Sequence, residues 1–77
     1  LSPSYLSKLF KRETGENLSI YIQNVRIQQA KILLCTTDLK TYEVAERVGI
    51  SDPVYFSRTF KKITGMKPKD FRHAERS

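Results

Sequence analysis

Residues 53–65 read Pro53-Val54-Tyr55-Phe56-Ser57-Arg58-Thr59-Phe60-Lys61-Lys62-Ile63-Thr64-Gly65. Fifty positions earlier the chain reads Pro3-Ser4-Tyr5-Leu6-Ser7-Lys8-Leu9-Phe10-Lys11-Arg12-Glu13-Thr14-Gly15. Seven of these thirteen positions are identical (Pro, Tyr, Ser, Phe, Lys, Thr and Gly), and two more exchange Lys with Arg. Self-similarity at a fixed offset points to two copies of one structural unit. Each copy reads as a helix of about eleven residues with marked ends. Ser2 and Asp52 stand at the N-cap, and the proline after each sits at N1, where its missing N–H costs nothing. Proline also drives the residue before it out of helical space, as an N-cap requires. Gly15 and Gly65 close the helices in the left-handed C′ position.

At about 100° per residue, the second copy gathers Phe56, Phe60 and Ile63 on one side with Thr59 between them. Val54, Arg58 and Lys61 point the other way, flanked by Ser57, Lys62 and Tyr55. The first copy repeats the pattern, with Leu6, Leu9 and Phe10 inward and Ser4, Lys8 and Lys11 outward. Glu13 is the exception, an acid on the apolar arc. A basic outer face on one helix is commonly a solvated surface. The same face on both copies points instead to a shared anionic ligand.

The segments around the second copy complete a motif. Thr41-Tyr42-Glu43-Val44-Ala45-Glu46-Arg47-Val48-Gly49 predicts a short helix with Thr41 as N-cap and Glu43 in the dipole-favoured first turn. Val44, Ala45 and Val48 form its apolar stripe, Ala45 is small enough for a close helix crossing, and Gly49 supplies a tight turn into Ile50-Ser51-Asp52. Helix, short glycine turn and helix together are a helix-turn-helix over residues 41–65. An ordinary helical hairpin would share the turn without the basic outer face. Leu1-Ser2 aligns with Ile50-Ser51, so the expectation for residues 1–16 is the recognition helix of a first helix-turn-helix truncated at its N-terminus.

Residues 17–36 predict a linker helix with two apolar faces. Tyr21, Ile22, Val25, Ile32 and Leu33 fall within about 60° of Leu18, while Ile20, Ile27, Ala30 and Leu34 lie opposite. Such a helix belongs between two packing partners, here the two repeat units. Its apolar stretch from Leu18 to Leu34, about 17 residues, spans about 25 Å, enough to hold two recognition helices roughly one DNA turn, ~34 Å, apart. Residues 67–73 predict a short closing helix with Pro68 near its start and Phe71 as anchor, and residues 74–77 are expected to fray. The fold class is therefore all-α: tandem, homeodomain-like helix-turn-helix units joined by a linker helix, in one domain over residues 1–77.

Composition narrows the function. The chain has 77 residues, with 14 Lys and Arg against 8 Asp and Glu, for a net charge of +6. Residues 41–51 carry net −1 and residues 52–77 net +4. The supporting helix is acidic while the recognition helix and tail are basic, which places positive charge where a phosphate backbone would lie. No apolar run spans a membrane, no signal-peptide pattern opens the chain, and the helices' apolar residues are committed to packing rather than to a lipid surface. Cys35 is the only cysteine and His73 the only histidine, so a four-ligand zinc site and an internal disulfide are both out of reach. Cys35 is expected as a small packing residue, and a lone reduced thiol fits a cytoplasmic location. No carboxylate pair, nucleophile constellation or phosphate-binding glycine loop appears, so neither an enzyme nor a cofactor is expected. RNA is disfavoured because Tyr5 and Tyr55 lie on helices with no sheet to stack bases upon. The competing reading is a basic helical protein-interaction module without base specificity.

The strings Tyr5-Leu6-Ser7-Lys8-Leu9-Phe10-Lys11, Thr14-Gly15, Tyr21-Ile22, Arg26-Ile27 and Ala30-Lys31 resemble the DNA-binding domain of the AraC family of bacterial transcription regulators. So do Val44-Ala45-Glu46-Arg47-Val48-Gly49, Tyr55-Phe56-Ser57-Arg58, Phe60-Lys61-Lys62, and Thr64-Gly65 through Pro68 to Phe71-Arg72. Gly15-Glu16-Asn17 and the linker most resemble members that serve as the output domain of a two-component response regulator. The resemblance implies double-stranded DNA as partner, with the two recognition helices in successive major grooves. It also implies RNA polymerase as a partner of the full-length protein and homodimerisation through an upstream domain. It places Ser4, Ser7 and Lys8 of the first unit, and Pro53, Val54, Tyr55 and Arg58 of the second, where bases are read. Arg58 is the best candidate for bidentate contact with guanine, while Pro53 and Val54 offer only apolar contact, for instance to a thymine methyl. Lys11, Ser57, Lys61 and Lys62 are assigned to phosphates.

Overall fold

The computed structural model describes residues 3–15 and 17–76, without the side chains at positions 3, 4, 10 and 14. The expected Ser2 cap and the inward Phe10 side chain lie outside this set. Five helices follow in order: α1 Pro3–Thr14, α2 Leu18–Thr36, α3 Thr41–Arg47, α4 Pro53–Thr64 and α5 Pro68–Arg76, with no strand among the described residues. The chain is elongated, 43 × 21 × 20 Å, because α2, at 19 residues or about 28 Å, serves as its spine.

Burial is concentrated at one end of that spine. Ile27, Ala30 and Leu34 of α2, Val44, Ala45 and Val48 on and just after α3, Ile50, and Phe56 and Phe60 of α4 form one core. Leu33, Leu39, Ile63 and Phe71 pack around it. The predicted inward faces of α3 and α4 are thus borne out, and Thr59 is buried with them. Phe71 closes the core by setting its ring edge-on to Phe60, with centroids 5.4 Å apart, a geometry favoured by the ring quadrupoles.

The second apolar face of α2 is not buried as the two-stripe pattern predicts. Tyr21, Ile22 and Val25 are exposed, and Ile32 keeps 62% of its surface. Ile20, expected on the same face as Ile27, is exposed as well. Helix α1 packs on α2, but its Leu6 and Leu9 remain 40% and 39% exposed. One thin helix cannot cover a stripe four turns long, whereas three helices cover the opposite face.

Most helix ends follow the expected rules. Asp52 caps α4, its Oδ1 accepting from the N–H groups of Val54 at 2.9 Å and Tyr55 at 3.4 Å, and Pro53 stands at N1. Gly65 ends α4 in the left-handed region at φ 85°, matching its repeat partner Gly15 at φ 78°. After α3, the Ile50 N–H reaches Ala45 O at 2.9 Å and the Gly49 N–H reaches Glu46 O at 3.1 Å. That is a Schellman closure with the buried Ile50 as its apolar clasp. Gly49 has φ 90°, and an added Cβ there would meet the Arg26 guanidinium at 3.4 Å.

Three expectations need correction. Thr41 is the first residue of α3 rather than its cap; Lys40 takes the cap position, and its N–H donates to Glu43 Oε1 at 2.9 Å. Glu43 thus satisfies the helix start from three residues inside it, so no Thr41 hydroxyl is required. Cys35 is exposed rather than packed, because it lies outside the Ile27–Leu34 stripe.

The closing helix is also longer than residues 67–73. It continues to Arg76 because α5 binds the end of α2. Arg72 donates to Leu34 O at 3.0 Å and to Thr37 O at 3.2 Å. Arg76 donates to Thr37 O and pairs with Asp38 at 2.8 Å. Guanidinium groups at a helix C-terminus satisfy carbonyls that lack intrahelical donors.

The Arg76 guanidinium holds the Asp38 carboxyl below its ordinary value of 3.8, first by the hydrogen bond and then by charge attraction. The stability this adds is fully present above pH 3.8 and is lost as pH falls through the lower folded value. Unfolding midpoints of the wild type and Asp38→Asn should therefore differ at neutral pH and converge in acid. A gap that stays constant with pH would detach the Asp38 charge from α5 docking.

Candidate nucleic-acid interface

Helix α4 is held from one side only. Phe56, Thr59 and Phe60 are buried, whereas Pro53, Val54, Tyr55, Arg58, Lys61 and Lys62 are exposed, Val54 by 60%. Ser57 is half-buried. The amphipathic period therefore leaves one continuous outer face that is apolar at its N-terminal end and basic towards its C-terminal end. The apolar start follows from Pro53 at N1 and Val54 beside the Asp52 cap. The basic end follows from Arg58, Lys61 and Lys62, with Arg58 and Lys61 within one turn of each other.

The outer face of α1 is similar in charge but less firmly supported. Lys8, Lys11 and Arg12 are exposed and Ser7 is half-buried. The Ser4 side chain, assigned to the same face, lies outside the described set. The structure thus places Lys8 and Lys11 together on one helix and Pro53, Val54, Arg58 and Lys61 together on another, both carried by α2.

Two features were not legible in the sequence. The Tyr55 hydroxyl accepts a hydrogen bond at 2.9 Å from Gln23 Nε2, 32 positions earlier in α2. Tyr55 therefore ties the start of α4 to the spine instead of presenting an uncommitted phenol. Together with Ser19, Gln23, Arg26 and Ile50 it lines a groove of about 410 Å³ between α2 and α4. Helical periodicity cannot reveal such a pairing, since it depends on the crossing of two helices. The second feature is on the other flank of α4, where Ser57, Arg58 and Lys61 meet Lys67 and Lys69. In sequence these two lysines are only bases before a short helix.

Comparison with known proteins agrees with this geometry. A helix-turn-helix domain family profile matches residues 1–74. The chain belongs to this family, in its AraC-type branch. The AraC-type domain is 46% identical over 77 residues to the uncharacterized transcriptional regulatory protein YesN of Bacillus subtilis (strain 168), covering 97% of this chain and 21% of that protein. It thus spans about a fifth of the length of that relative. The C-terminal domain of the two-component response regulator yesN from Fusobacterium nucleatum superposes with a TM-score of 0.87 at 46% identity, over 94% of this chain and 70% of that one. The DNA-binding domain of the global transcriptional factor AdpA, solved in complex with a target DNA, superposes with a TM-score of 0.89 at 32% identity. That match covers 99% of this chain and 68% of the AdpA chain. No helix among the described residues is long and apolar enough to cross a membrane.

Proposed function

We propose that this AraC-type domain binds double-stranded DNA sequence-specifically as part of a bacterial transcription regulator, with α1 and α4 entering successive major grooves. The observation that carries the reading is the outer face of α4. It is exposed at Pro53, Val54, Arg58, Lys61 and Lys62 and graded from apolar to basic, on a helix whose other side is locked in the core. A major groove presents both base edges and flanking phosphates, so it needs a helix of this kind. The 43 Å long axis also leaves room for two reading helices about one DNA turn, ~34 Å, apart.

Within this reading, Pro53, Val54, Tyr55 and Arg58 face bases from α4, and Ser4, Ser7 and Lys8 face them from α1. Arg58 supplies the bidentate donor for guanine, and Val54 the apolar contact for a thymine methyl. Tyr55 meets the groove with its ring while its hydroxyl stays with Gln23. Lys11, Ser57, Lys61 and Lys62 bind phosphates, which fixes register without reading sequence. For the full-length protein, the same reading entails a cytoplasmic regulator that works with RNA polymerase. Any homodimer contact or signal-receiving domain, of the response-regulator kind, lies upstream.

Selection of bound duplexes from a random DNA pool tests the reading. Two enriched blocks about ten base pairs apart would show both helices at work, and one block would assign base reading to α4 alone. Retention of every sequence alike would replace it with a protein-interaction module. On the selected site, Arg58→Ala is expected to cost about 1–3 kcal/mol and to relax preference at one or two base pairs. Unchanged preference would remove Arg58 from the reading set. Lys61→Ala should weaken all sequences similarly and flatten the salt dependence by about one unit. A base-selective loss would move Lys61 among the readers.

A further inference from the structure

Between the outer face of α4 and the start of α5 lies a depression of about 440 Å³. Arg58, Lys61, Lys67 and Lys69 line it, together with the hydroxyl-bearing Thr41 and Ser57. It is a junction of three elements. Helix α3 contributes its first residue, α4 contributes Ser57, Arg58 and Lys61, and the turn into α5 and the start of α5 contribute Lys67 and Lys69. No carboxylate lines it. The acids nearest its lining in sequence are Glu43, whose Oε1 accepts from the Lys40 N–H, and the exposed Asp70. Among the described residues the four bases form no ion pair, whereas Arg76 on the far end of α5 has Asp38. Four cations gathered without a counter-charge repel one another, so an anion between them gains from all four.

The lysines are held there by the fold. Gly65 turns the chain at φ 85°. The Thr64 hydroxyl accepts from the Met66 N–H at 3.2 Å and donates to Phe60 O at 2.8 Å. Pro68 is buried at the start of α5, so Lys67 and Lys69 flank a fixed point. Because Pro68 has no N–H, the first free amides of α5 belong to Lys69 and Asp70, and they add partial positive charge on this side.

We infer that this notch holds a backbone phosphodiester of the duplex that α4 reads, with Lys67 and Lys69 as phosphate-binding residues gripping it from either side of Pro68. The inference rests on the DNA-binding reading of α4. The ligand class follows from continuity: Arg58 and Lys61 belong both to the notch and to the outer face of α4. An anion seated here therefore borders whatever occupies that face, and the borders of a major groove are phosphates. The open form of the depression suits a diester within a polymer, which needs an entrance and an exit for the strand.

The test uses the whole chain, its selected duplex, and a set of duplexes each with one phosphate replaced by a neutral methylphosphonate. Both lysine side chains are exposed, so Lys67→Gln/Lys69→Gln should keep the wild-type thermal unfolding curve. The wild type should be weakened by neutralisation at one phosphate beside the α4 half-site, and the double variant should be indifferent to that same position. The variant's slope of log K against log salt should also flatten by about 0.9 for the phosphate lost, with base preference unchanged. Equal sensitivity of wild type and variant at every phosphate would overturn the notch while leaving the α4 reading intact. A uniform loss spread over all positions would also overturn it, since that marks general charge rather than a site. Failure of the wild type to prefer any duplex would defeat the α4 reading and the notch together.

Discussion

The position of Phe60 governs the rest of the arrangement. Its ring is fully buried, 5.9 Å from Phe56 on its own helix and 5.4 Å from Phe71 on α5. Through this stack α4 is fastened on its inner side to α2, α3 and α5 at once. Because every apolar residue of α4 except Pro53, Val54 and Tyr55 is drawn inward or half inward, the core leaves the outer face exposed. The same stack anchors α5 through Phe71, four residues after Lys67 and two after Lys69. Core packing and charge placement thus meet in one short segment.

The division of labour on α4 also follows from its register. Positions near the Asp52 cap are short or apolar, so they allow close approach to base edges. Positions one or two turns later carry the long, exposed cationic side chains of Arg58, Lys61 and Lys62, of which the proposed reading gives Arg58 to a base and the two lysines to phosphates. On the proposed reading, affinity and selectivity thus come from different residues of one helix. Affinity carried by charge falls with salt, whereas discrimination carried by fitted contacts is less sensitive to it.

How much was legible in the sequence can be traced residue by residue. The repeat located α1 and α4, and the caps at Asp52 and Gly65 placed the ends of α4, because N-cap and C′ chemistry is local. The inward set Phe56, Thr59 and Phe60 followed from period alone. Apart from the Thr41 cap, which the local Lys40–Glu43 contact shifts by one residue, the expectations that fail depend on another helix. The double stripe of α2 was read as doubly buried, yet only the Ile27–Ala30–Leu34 side found three partners. A polar tail shows no period, so the sequence predicts fraying over residues 74–77. In the structure Arg76 has an acceptor and a counter-ion 38 and more positions away in sequence. The Gln23–Tyr55 bond and the Lys67–Lys69 flank belong to the same class: ordinary polar residues made significant by a crossing. The base-reading set rested on outward direction and on family resemblance, and outward direction is the part that geometry supports for the residues whose side chains are described.

The uneven coverage of α2 has a dynamic meaning. Its second half is enclosed by α3, α4 and α5, with Ile27, Ala30 and Leu34 fully buried. Its first half shares only partly covered side chains with α1. Opening free energy in a folded chain tracks buried apolar contact, so amides along this single helix should not share one protection level. Protection should be high where the spine carries α4 and lower where it carries α1. The two outward basic helices therefore stand on mounts of unequal firmness, α4 on the enclosed half of α2 and α1 on the partly covered half.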